Sequence, residues 1–297
     1  MSAEKELLER LERIKRWARG DERAPHKPLL LLMALSRIQR GEERLVAFSD
    51  LEYDLRALLE AFGPSRKSHH PEFPFWHLQS DGLWEIPGRE LLTPKKGGAS
   101  PTAGTLRENE AAGGLPERYD ALLRRKPGLV ATAARSILSA HFPESLYDDL
   151  VAAVGLDLAA GLPAQRDPAF RSMVLLAYEY RCAVCGFKAA MENRLFGVEA
   201  AHVKWHSHNG PSMLANGIGL CTLHHKAFDL GVIGLTDDDR VLVSARFNGN
   251  DEAAHHFLPH AGRELLGPQP GHPRPALEFK KWHLENCFKG PARHSVG

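Results

Sequence analysis

Two short spacings do most to limit what this chain can become: Cys182-Ala183-Val184-Cys185 and, further on, Cys221-Thr222-Leu223-His224. Each is a pair of metal-binding residue types spaced i, i+3. Zinc takes four N or S ligands in a tetrahedron and often draws them as two pairs from separate loops. The four residues therefore predict a closed, structural Cys3His zinc site that ties the two segments together. The bland alternative, thiols acting as small buried hydrophobes, does not account for two matched pairs. Four cysteines in 297 residues make no disulfide scaffold and suit a reducing cytosol. Cys287 belongs to no pair and reads as an ordinary buried thiol.

The rest of the composition describes a globular chain long enough for two cores. Lys and Arg total 38 against 37 Asp and Glu, so a nucleic-acid partner would have to be held by local basic patches. No apolar run approaches the ~20 residues of a membrane helix, and MSAEKELLERLERIKRW reads as a charged amphipathic helix rather than a signal peptide. Cytoplasmic localisation without a membrane partner is the expectation.

Periodicity predicts helices over 3–18, 29–38, 49–62 (with Ser49 as N-cap), 169–180 and 276–288, and helical segments from 105 to about 153. Residues 73–86, FPFWHLQSDGLWEI, predict a hairpin around Asp81-Gly82. The expected class is α+β. A mostly helical domain with one small hairpin spans 1–155, a linker 156–168, and a compact α+β domain 169–297.

His224 and His225 are adjacent on a predicted helix, so they point about 100° apart and serve different sites. With His224 on zinc, His225 is free, and Asp229 lies one turn on along the same face. An imidazole and a carboxylate so placed can hold a divalent cation such as Mg2+ or Mn2+. Upstream, GVEAAHVKW (197–205) reads as a strand carrying His202, and Asn216 opens the next segment. His202, Asn216 and His225, flanked by the zinc pairs, resemble the HNH nuclease motif of the ββα-metal fold. That resemblance implies phosphodiester hydrolysis. His202 would be the general base, since imidazole titrates near neutrality. Asn216 would pin the loop or the base without carrying charge, and His225 would bind the metal beside Asp229. Many HNH enzymes carry Asp or His just before the base. Here that position is Ala201, which raises the weight on Asp229. Glu199, read on the same strand face as His202, is a weaker candidate ligand. His206 and His208 read as solvated loop residues.

The first half should then supply targeting. RAPHKP (23–28) and PSRKSHHPEFPFW (64–76) interleave basic residues with prolines and aromatics, a composition suited to nucleic acid. At least two of Phe75, Trp76 and Trp84 should instead fill the core. Together with the late WHLENCF, these segments resemble the McrA-type restriction endonucleases that bind phosphorothioate DNA. In that family an N-terminal sulfur-binding domain reads double-stranded DNA in which one non-bridging phosphate oxygen is sulfur. Sulfur is larger and less strongly hydrated than oxygen, so an apolar dimple can accept it where an unpaired phosphate oxygen would be penalised. Pro71, Phe73 and Pro74 are the candidates for the dimple. Arg23, His26, Lys27, Arg66 and His70 are the candidates for phosphate charge and base edges. The loop at Lys95-Lys96 and the 107–114 stretch, RENEAAGG, are further candidates for reading sequence context. Three functions remain open on these residues: a type IV-like nuclease for phosphorothioate DNA, an HNH nuclease aimed at methylated or unmodified DNA, and a zinc-stabilised DNA-binding regulator with a decayed site. A homodimer would let two single-strand sites break a duplex.

Overall fold

The computed structural model describes residues 2–14, 18–19, 22–23, 26–64, 66–92, 100–158 and 168–293. The chain divides into two compact units, one built almost wholly from residues up to Pro163 and one from Ala164 onward.

The first unit is helical. Its elements are α1 (Ala3–Glu12), short strands β1 (Ala18–Arg19) and β2 (Glu22–Arg23), α2 (His26–Gln39), β3 (Val46–Ala47), α3 (Phe48–Phe62), α4 (Glu72–His77), α5 (Ala103–Glu108), β4 (Ala112–Gly113), α6 (Glu117–Arg125), α7 (Pro127–His141) and α8 (Tyr147–Val154). The run LLLL makes α2 apolar all round, as a fully enclosed helix must be. Leu29, Leu30, Leu31 and Leu32 are all buried. α3, α4, α6, α7 and α8 pack around it. Its one buried hydroxyl, Ser36, is satisfied by the carbonyl of Gly155 at 3.0 Å. Gln39 bonds both the N–H and the C=O of Asp157. Gly155 and the first residues of the predicted linker, 156–157, are therefore fastened to α2, and 159–167 lie outside the described residues.

Three local expectations are corrected. Residues 73–86 do not form a hairpin. Glu72–His77 is α4, Leu78–Asp81 a 3-10 turn, and Gly82 closes it at φ 68°. Only Glu85 keeps a strand-like bridge, to Gly114. The Pro71-Glu72 start and the burial of Phe75 and Leu78 on one helical face outweigh the aromatic strand propensity. Phe75 and Trp84 do fill the core, as expected. α3 starts at Phe48 with Ala47 at its N-cap, so Ser49 lies inside the first turn. α1 ends at Glu12, and Trp17 lies outside the described residues.

The second unit holds α9 (Pro168–Ala177), a hairpin of β5 (Ala189–Met191) and β6 (Arg194–Phe196), then β7 (Val198–His202), β8 (Gly217–Cys221) and α10 (Thr222–Asp229). A second hairpin, β9 (Ile233–Leu235) with β10 (Val241–Val243), precedes α11 (Asp251–His255) and α12 (Leu277–Asn286). β7 and β8 pair antiparallel in a register that sets His202 opposite Gly217 and Val198 opposite Cys221. α10 follows β8 without a loop, so β7, β8 and α10 form a ββα unit. Two glycines bring α9 onto β8. A Cβ at Gly217 would lie 2.4 Å from Val174 and one at Gly219 2.9 Å from Tyr178.

Candidate functional site

The zinc expectation converges in space. One ligand atom from each of Cys182, Cys185, Cys221 and His224 lies within 4.8 Å of every other. The spread suits a single tetrahedral ion, and the S/N donor set suits zinc. His224 faces the thiols with Nδ1, 3.1 Å from Cys221 Sγ and 3.6 Å from Cys182 Sγ. Its Nε2–H donates to the carbonyl of His256 at 2.8 Å. That bond fixes the tautomer and leaves the Nδ1 lone pair toward the cluster. Bonds from Cys185 and Cys221 hold the Cys182 thiol well below its ordinary range, so the cluster readily supplies a thiolate.

Beside it, α10 aims its next residue elsewhere. His225 Nδ1 lies 2.8 Å from Glu199 Oε2, and its Nε2 3.3 Å from Asp229 Oδ2. Burial opposes charging of this ring, but the carboxylates of Asp229 and Glu199 outweigh it and raise the pKa to about 10. Glu199 corrects the strand reading: an odd separation puts it and His202 on opposite faces. His202 instead stacks on Phe170 (3.8 Å, 13°) and reaches Ser212 Oγ with Nε2 at 3.3 Å. The His225 ring is then charged, with Nε2–H toward Asp229 Oδ2; a cation that displaced that proton would meet Nε2 and Oδ2 together while Glu199 kept the proton on Nδ1. Two ligands of one hard cation at about 2.1 Å sit about 3 Å apart when cis, so the pair fits a divalent metal.

Asn216 is fully buried. Its Oδ1 accepts from Lys204 N–H at 2.8 Å, and its Nδ2 donates to the carbonyls of Lys204 (2.9 Å) and Pro211 (3.0 Å). It pins the 203–211 loop, one of the two roles the sequence allowed. His208 is not a solvated loop residue: it is buried between Trp205 and Trp282. Cys287 is buried, as expected.

In the first unit, His26 of RAPHKP lies close to Arg66, His69 and His70. His26 is largely enclosed, and its Nε2 is buried with no hydrogen-bond partner. Burial first, then the charges of Arg66, His69 and His70, lower its pKa to about 4. His70 bridges Ser68 Oγ and Glu72 Oε1, each at 2.9 Å, and stacks on Phe73 at 4.8 Å. The dimple candidates separate: Pro71 and Pro74 are buried at the start of α4, and only Phe73 is open to solvent. Lys27 Nζ lies 2.6 Å from Asp81 Oδ2, with both side chains nearly buried, so its charge is engaged inside the unit. The side chain of Arg23, and Lys95 and Lys96, lie outside the described residues.

Residues 4–159, more than half of the chain, match the family described as the ScoMcrA-like DNA sulfur-binding domain. The chain belongs to this family. Residues 182–236 match the HNH endonuclease family, over the stretch that holds the zinc pairs, His202, Asn216, His225 and Asp229. Among solved structures, the chain is similar to the sulfur-binding domain of ScoMcrA complexed with phosphorothioated DNA. That pair is 28% identical over 48% of this chain and 93% of the other, with TM-score 0.43. A two-domain ScoMcrA complex, with the sulfur-binding and SRA domains on phosphorothioated DNA, is 26% identical over 65% of this chain and 58% of the other, with TM-score 0.47. The type IV phosphorothioation-dependent endonuclease ScoMcrA is 26% identical, with 52% of this chain matched to 35% of its length at TM-score 0.42. No curated protein matches.

Within this sulfur-binding-domain chain, three participants carried little sequence signal. Glu199 was visible, but its reach to His225 was not. His69 acts on His26 alongside Arg66 and His70, a proximity that no spacing rule shows. Trp205 Nε1 donates to Asp229 Oδ1 at 2.8 Å, a pairing across the ββα unit that no spacing rule shows.

Proposed function

We propose that this chain is a type IV-like restriction endonuclease that reads phosphorothioate DNA with residues 1–155 and cuts nearby with residues 169–297, joined by 156–168. The observation that carries the proposal is the presence, on one chain, of a sulfur-binding-family domain and an HNH domain whose His202, Asn216 and His225 are all in place.

For cutting, His202 takes the proton of the attacking water. Its ring is held flat against Phe170, so the nitrogen that works needs no reorganisation before the reaction. Asn216 holds the loop beside it. Glu199 keeps the proton on His225 Nδ1 and turns Nε2 toward Asp229. His225 and Asp229 would then hold a divalent metal, which would supply charge relief to the phosphate under attack. Cys182, Cys185, Cys221 and His224 hold a structural zinc that anchors the start of α10 and so the position of His225.

For reading, the charge of Arg66, with the ring N–H donors of His69 and His70 around His26, supplies the attraction to a phosphate. Phe73, with its ring stacked on His70, supplies the exposed apolar surface where sulfur is favoured over oxygen. Pro71 and Pro74 stiffen the turn from beneath.

The test uses the full chain on duplexes of one sequence, unmodified, methylated or carrying a phosphorothioate, with binding and cleavage measured separately. Binding and cleavage that favour the phosphorothioate duplex are expected. Equal binding to all three leaves an HNH nuclease with another target. Binding without cleavage under any divalent metal leaves the DNA-binding regulator.

A further inference from the structure

Asp229 does not stand free beside His225. Its Oδ1 accepts the indole N–H of Trp205 at 2.8 Å, while Oδ2 faces His225. Trp205 is itself held. Its ring meets Trp282 at 5.7 Å and His208 at 5.5 Å, both edge-on. Its carbonyl accepts from the N–H groups of His208 (2.8 Å) and Gly210 (3.0 Å). The residue before it, Lys204, is clamped at both N–H and C=O by Asn216. A continuous chain of bonds thus runs from Asn216 through Lys204 and Trp205 to Asp229 and His225.

The geometry points to Trp205 as the positioning residue of the Asp229–His225 pair. This rests on the nuclease reading given above. The indole N–H occupies one carboxylate oxygen and fixes the rotation of the group, so that only Oδ2 is offered on the His225 side. Without it, a buried carboxylate would turn to find another donor, and the two metal-facing atoms would no longer share a focus. Asn216 then acts at a distance: it sets the backbone from which the indole reaches Asp229.

The test is Trp205→Phe, which keeps the ring in the aromatic cluster and deletes the N–H. Manganese binding to the zinc-loaded full chain is read by electron paramagnetic resonance, alongside cleavage of phosphorothioate duplex. The expected result is a manganese midpoint raised about ten- to hundredfold, the range for lost outer-shell partners. Cleavage should recover much of the native rate at saturating manganese. Adding Trp205→Phe to Asp229→Ala should weaken manganese no further than Asp229→Ala alone. Trp282→Phe, which removes a packing neighbour but no donor to Asp229, should lower thermal stability and leave the manganese midpoint in place. A Trp205→Phe chain that is less stable but binds manganese as the native chain does overturns the inference, as does an additive double mutant. Should Trp205→Phe not fold, the native chain decides the matter. With 15N-labelled tryptophan, the Trp205 indole resonance is expected to shift on magnesium titration, and a stationary resonance at saturation overturns the inference. Native manganese binding that is indifferent to His225→Ala would instead remove the nuclease-site reading, and this inference with it.

Discussion

Asn216→Asp is the most searching perturbation, because it changes one atom and no shape. In the native chain Asn216 Nδ2 donates to the carbonyls of Lys204 and Pro211 at 2.9 and 3.0 Å, and the side chain is sealed from water. An ionised aspartate puts an acceptor where that donor was. The carbonyls of Lys204 and Pro211 then lose their donor at about 1–3 kcal/mol each, so the loss centres on about 4 kcal/mol, before any repulsion within the sealed side-chain site. The alternative is to protonate the new carboxyl. Keeping an acid of ordinary pKa about 3.9 neutral at pH 7 costs about 4 kcal/mol, and one carbonyl still goes unpaired. Both routes lead to about 4–5 kcal/mol of lost stability in the second unit. The sign with pH follows. The new carboxyl has a folded-state pKa above its unfolded one, so its penalty is small at low pH and grows as pH rises through the unfolded value toward the folded one. Urea unfolding of native and variant chains between pH 4 and pH 8 checks this. The gap should widen with pH, and cleavage should be lost while zinc is retained. A variant within 1 kcal/mol of native at pH 8 would refute the view that Asn216 works as a backbone clamp.

Four further outcomes are expected. Cys182→Ser should release the zinc, seen as metal content falling from about one per chain, with a large drop in melting temperature, since metal binding is folding free energy here; full stability without zinc would contradict it. His202→Ala should abolish cleavage and leave phosphorothioate binding at native strength by gel shift, because the base acts only in the chemical step. Lys27→Met should destabilise the first unit by about 3–5 kcal/mol, through loss of the ion pair between two nearly buried groups, Lys27 and Asp81; native stability with weakened DNA binding would assign Lys27 to DNA contact instead. His26 has a depressed pKa of about 4, so the folded state binds fewer protons than the unfolded one and stability should fall as pH drops from about 6.5 to about 4, by up to about 3 kcal/mol; His26→Gln should flatten that slope, measured by denaturant titration across the range.

The sequence alone determined the features that depend on spacing. The i, i+3 steps pair Cys182 with Cys185 and Cys221 with His224. The i, i+4 step sets Asp229 beside His225 on α10. The apolar run of α2 could only be an enclosed helix. Local geometry decides all of these, and it is written in neighbouring residues. Tertiary structure decided the rest. A Phe-Pro-Phe-Trp segment became α4 and not a strand because Phe75 had a core to enter. Lys27, indistinguishable in sequence from a DNA contact, was drawn inward because Asp81 lay across the fold. Glu199 and Trp205 reached His225 and Asp229 from another element. A long side chain's partner is chosen by which buried charge or donor stands within about 3 Å, and that proximity exists only once distant segments have packed.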